Sequence, residues 1–127
     1  MNPLVEEWVR KAEGDYGTAM REFAVEGEAN YDAVCFHCQQ CVEKYMKAFL
    51  IANGATFPKT HDLSILLDLC LPLRGNWADL RPGLDLLTRA AVSFRYPGEF
   101  AERAEAVAAK AVADRVRPIL RDALGLP

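Results

Sequence analysis

The sequence predicts an all-α fold: an up-and-down antiparallel bundle of four to five helices that occupies residues 1–127 as a single domain. Three observations lead there. Apolar residues recur every three or four positions along each long segment, which is the spacing of one helix face. No segment alternates apolar and polar residues for long enough to make a strand. The breaks between segments are short and carry glycine, proline or asparagine, so consecutive helices should turn back on one another.

The first helix opens with Asn2 as N-cap, Pro3 at the first helical position and Glu6-Glu7 in the positive first turn. Val5, Trp8, Val9, Ala12, Tyr16, Ala19, Met20 and Phe23 form its apolar stripe. Gly14 and Gly17 lie beside the stripe and weaken the helix by about 1 kcal/mol each relative to alanine. They predict that a neighbouring backbone passes close by. The second helix runs from about Tyr31 to Asn53, with Gly54 placed to stop it. Thr60 or Asp62 can cap a short third helix bearing Leu63, Leu66, Leu67 and Cys70, after which Pro72 and Gly75-Asn76 punctuate the connection. A fourth helix is carried by Leu80, Leu84, Leu87, Ala91 and Phe94, with Pro82 tolerable only in its first turn. The last segment, about Phe100 to Leu124, is rich in Ala and Val, and Pro118 within it predicts a kink or a short separate helix.

Composition narrows the function. Half of the chain is hydrophobic (51%), which argues against disorder. Fifteen basic side chains face eighteen acidic ones, a net charge of -3, so the basic excess that accompanies non-specific nucleic-acid binding is missing and no DNA partner is expected. No apolar run spans a bilayer, and the start is acidic where a secretory signal would be basic. A cytoplasmic chain with reduced cysteines and no membrane partner is therefore expected.

The second helix is the informative one. At 100° per residue, Val34, Cys38, Cys41, Val42, Tyr45, Ala48 and Phe49 share a core face. His37, Gln40, Glu43, Lys44 and Lys47 share the opposite arc, with Phe36 and Ile51 mixed into it. A solvated face explains the polar residues alone. Large apolar side chains within that arc point instead to an interface made of Phe36, His37, Gln40, Glu43, Lys44, Lys47 and Ile51. Cys35, Cys38 and Cys41 with His37 have zinc-like spacing, but they sit inside a helix and lack a second pair of ligands. Small buried thiols account for them, and neither metal nor cofactor is expected.

Three blocks of this chain resemble the HEPN family of prokaryotic helical domains. The first is the stretch from Tyr31 to Ala48, with Gln39-Gln40, Glu43-Lys44 and Lys47-Ala48 at its centre. The second is Lys59-Thr60-His61-Asp62-Leu63, and the third is Arg95-Tyr96-Pro97-Gly98 before the last helix. They stand in the family's order and cover nearly all of the chain. The resemblance implies a helical bundle that dimerises. It further implies action beside a minimal nucleotidyltransferase in a toxin–antitoxin-like pair, and binding of a nucleotide or RNA.

Some HEPN proteins are metal-independent ribonucleases, with an Arg followed within a few residues by a His. There the His moves a proton and the Arg holds the phosphate. Here Arg95 is followed by Tyr96, Pro97, Gly98, Glu99, Phe100, Ala101 and Glu102, with no His. The expectation is therefore a module that is not catalytic alone and binds phosphate near Lys47, Lys59, His61, Arg95 and Tyr96. The rivals are a ribonuclease using His61 and Arg95 as a rearranged catalytic pair, and a purely structural assembly domain.

Overall fold

A computed structural model describes all 127 residues. It is all-helical and contains no strand. Helices α1 (Pro3–Phe23), α2 (Tyr31–Ala52), α3 (Leu63–Cys70), α4 (Arg81–Ser93) and α5 (Arg103–Ala123) follow in order, and a 3-10 helix (Gly75–Leu80) precedes α4. No helix is long and apolar enough to cross a membrane.

The termini follow from local chemistry. Asn2 Oδ1 accepts from Leu4 N–H at 2.7 Å, Asn30 Oδ1 from Ala33 N–H at 3.0 Å, and Asp62 Oδ1 from Ser64 N–H at 2.9 Å. Each such cap is worth about 1 kcal/mol. Gly54 ends α2 with φ +71°, a left-handed conformation that a side chain would strain.

Helix α2 is the hub, packing against α1, α3, α4 and α5 alike. Thirteen of its 22 residues are buried, more than one amphipathic face can supply, so partners must cover it nearly all round. Its cysteines share this core: Cys35, Cys38, Cys41 and, from α3, Cys70 are all fully buried with free thiols. Burial pushes the thiols up, to about 11 for Cys35 and about 12 for Cys38 and Cys70. No group of three or more His, Cys, Asp or Glu side chains is arranged to hold a metal ion.

Three expectations are corrected. No neighbouring backbone approaches the α1 glycines: Gly14 faces open space, and Gly17 meets only the Arg21 side chain. The close glycine contact lies instead at Gly83 of α4, where an added Cβ would stand 3.2 Å from both methyls of Val112 on α5. Helix α5 begins at Arg103 rather than about Phe100, and it continues through Pro118, so of the kink and the separate helix expected there the separate helix is ruled out.

A polar seam joins α1, α2 and α5. Arg117 clasps Glu13 through Nε (2.7 Å) and Nη2 (2.6 Å), while Tyr45 Oη donates to Glu13 and accepts from Arg121 at 2.8 Å. Tyr16 Oη donates to Asp114 at 2.7 Å, and Lys110 holds the other oxygen at 2.6 Å. The Arg117 hydrogen bond holds Glu13 below its ordinary 4.5. Asp114, despite partial burial, is held below 3.8 by Lys110 and Tyr16. A carboxyl with a lowered folded pKa contributes stability above its unfolded pKa and loses it as pH falls through the folded value. Thermal unfolding should therefore move to lower temperature on acidification below about pH 4.5, following those unfolded values. Glu13→Gln should flatten that acid limb, as circular dichroism melts at pH 7 and pH 3 would show.

Candidate functional site

Three polar residues at successive four-residue steps, Gln39, Glu43 and Lys47, lie on one line of α2. All three are buried, with Glu43 3% and Lys47 7% exposed. The cover comes from this chain itself: Trp8 of α1 and Phe57 of the loop before α3 meet edge to face, and the Lys47 ammonium lies 5.7 and 5.5 Å from their rings. Lys47 Nζ donates to Glu43 Oε2 at 3.0 Å. The other oxygen, Oε1, accepts from Gln39 Nε2 at 3.1 Å and from His61 Nδ1 at 2.9 Å. Gln39 Nε2 also donates to the His61 carbonyl at 2.9 Å, tying the loop to the helix.

This arrangement sets the histidine's tautomer. A carboxylate only accepts, so Nδ1 carries a proton; Nε2 faces outward, an acceptor in the neutral ring and a donor in the protonated one. The ring is 79% exposed although its anchor is buried. His61 lines a cavity of about 120 Å³ between α2 and α4 together with Phe36, Gln39, Gln40, Thr88 and Arg95. Thr88 Oγ1 accepts from Leu63 N–H at 3.1 Å, which leaves its hydroxyl proton free for a ligand. Arg95 is exposed and makes no ion pair within the chain. A guanidinium, a hydroxyl and an oriented imidazole around one small cavity can hold an oxyanion and exchange a proton with it.

The HEPN domain pattern matches residues 5–123, nearly the whole chain. The chain belongs to the HEPN family. Its fold is similar to the crystal structure of TT1696 from Thermus thermophilus, with a TM-score of 0.75 at 22% identity over 94% of this chain and 97% of that one. At that identity the likeness concerns the fold. No curated protein matches the chain.

Within this HEPN domain, the two residues separated by a whole helical hairpin in sequence, His61 and Arg95, line the same cavity. Phe36 and Gln40, read from sequence as interface residues, line it too. Lys47 is sealed under Trp8 and Phe57, so it reaches the site only through Glu43. Lys59 and Tyr96 are exposed, Tyr96 at 63%, and neither lines the cavity. His37 and Lys44 do not stand free on an outer arc: His37 Nδ1 pairs with Asp15 Oδ1 at 2.8 Å and Lys44 Nζ with Asp15 Oδ2 at 2.6 Å. Ile51 is half-buried near the end of α2.

Gln39, Asp15, Thr88, Trp8 and Phe57 were not among the site residues expected from the sequence, although Gln39 stands in the HEPN-like block and Trp8 in the first helix's apolar stripe. For Gln39 there was a signal, since a long amide on the same line as Glu43 and Lys47 needs partners wherever that line is covered. Thr88 carried none.

Proposed function

We propose that this HEPN domain is a phosphate-binding module that takes a nucleotide or RNA phosphate at His61 and Arg95. It self-associates and acts with a nucleotidyltransferase-type partner in a cytoplasmic toxin–antitoxin-like pair. One observation carries the reading: an imidazole fixed by a buried carboxylate shares a cavity with an otherwise unpaired arginine. Exposed apolar side chains, Val92 (53%) on the cavity wall and Tyr96 (63%) and Phe100 (74%) in the loop after Arg95, support association with another protein surface.

The same observation favours one second reading. An imidazole with Nε2 free could draw the proton from a ribose 2′-hydroxyl while Arg95 steadies the phosphate, which is the ribonuclease alternative. One experiment separates the two. A short mixed-sequence RNA is titrated with the protein by fluorescence anisotropy, and the RNA is then recovered and checked for cleavage with and without EDTA. We expect salt-sensitive binding, weakened about tenfold or more by Arg95→Ala, with the RNA intact. Absence of binding overturns the first reading. Metal-independent cleavage that vanishes in folded His61→Ala and Arg95→Ala variants establishes the second. A neighbouring gene for a small nucleotidyltransferase, and a stable complex on co-expression, tests the partnership.

A further inference from the structure

The cavity at His61 is one half of a longer groove. A second cavity of about 250 Å³ adjoins it between α2 and α4, and Phe36 and Arg95 line both. Phe36 and Phe94 border the second half, which also takes in Asn30, Asp32 and His37.

The two halves offer opposite chemistry. Around Arg95 and Thr88 the groove presents donors suited to an oxyanion. The second half presents acceptors. Asp32 Oδ1 takes the Ala101 N–H at 2.6 Å but keeps a lone pair, and Oδ2 has no partner. His37 donates from Nδ1 to Asp15, itself 9% exposed and held on its other oxygen by Lys44, so in the neutral ring Nε2 is an acceptor. Asn30 uses its oxygen as the α2 cap and has its amide group to donate. A carboxylate here repels a second phosphate, while aromatic side chains accept a flat ring.

We propose that the second half is a nucleobase subsite selective for guanine, with Asp32 as the residue that reads the base. The inference rests on the reading of the first half as the phosphate site. Guanine presents N1–H and its 2-amino group side by side, and one carboxylate can accept from both. Its ring stacks on Phe36 and its phosphate lies at Arg95. Adenine and cytosine set a single amine beside a bare ring nitrogen, whose lone pair would oppose Asp32. Uracil places one N–H between two carbonyls. Base edges are read in this way wherever unstacked bases meet aromatic and carboxylate side chains.

Calorimetric titration with the 5′-monophosphates of guanosine, adenosine, cytidine and uridine, and with ribose 5-phosphate, tests the assignment. We expect guanosine monophosphate to bind about tenfold more tightly than uridine monophosphate, the scale of one paired base contact. Asp32→Asn keeps a carbonyl oxygen for Ala101 N–H and should abolish that preference, leaving ribose 5-phosphate binding unchanged. Phe94→Ala, which borders only the second half, should weaken all four nucleotides but not ribose 5-phosphate. If the nucleotides and ribose 5-phosphate bind equally, the base subsite is refuted and the phosphate site stands. If none of the five binds, both fall. An intact guanine preference in Asp32→Asn removes Asp32 from the reading.

Discussion

Replacing Glu43 with alanine should destabilise the protein by about 3–5 kcal/mol, the scale seen when one partner of a buried ion pair is removed. Lys47 would be left 7% exposed with its ammonium beneath Trp8 and Phe57 and without the oxygen now 3.0 Å away. Gln39 and His61 would lose the same acceptor, so the loop before α3 should loosen along with the helix. Glu43→Gln keeps the shape and one acceptor oxygen and should cost less. Urea titration followed by circular dichroism measures both. A loss below about 1 kcal/mol for the alanine variant would mean that the two aromatic rings alone can hold the lysine.

The second large effect belongs to Trp77. This residue is 4% exposed in the 3-10 helix, and its ring centroid lies 4.7 Å from that of Phe49 on α2. Truncation to alanine removes the largest side chain of a segment that packs on both α3 and α4, and large aromatic truncations in cores cost about 3–5 kcal/mol. The expected result is a urea midpoint shifted well below that of the parent, with helix content retained at zero denaturant. A midpoint displaced by less than the equivalent of about 1 kcal/mol would show that the segment is a cover that water can replace.

These two residues also mark how far the sequence could be read. Apolar spacing located all five α-helices, because a long helix repeats its core contact every turn and leaves a periodic trace. The 3-10 helix left none. Gly75-Asn76 read as punctuation, and Trp77 with Leu80 is too short a pattern to show a period. Helical angles likewise placed Glu43 and Lys47 on one line, yet a helix plot cannot tell water from a distant segment that lies over that line. Trp8 and Phe57, far apart in sequence, decided the matter. For His61 and Arg95 the sequence carried the residues, and topology allowed their loops to share one end of the bundle. That they line one cavity depends on Gln39 and Glu43 drawing the first loop against α2. No sequence pattern records that tether.

A helix that touches every other helix also imposes an order of events during synthesis. Residues 31–52 emerge from the ribosome early, and α1 can cover one flank at once, being already outside. The flank that meets α5 must wait until residue 123 has been added, some seventy residues later. At elongation rates of about 5–20 residues per second that interval is on the order of several seconds. Throughout it, the cysteine-bearing side of α2 stays bare, so the nascent chain passes through a state open to chaperones, oxidants and other nascent chains that the finished domain never shows.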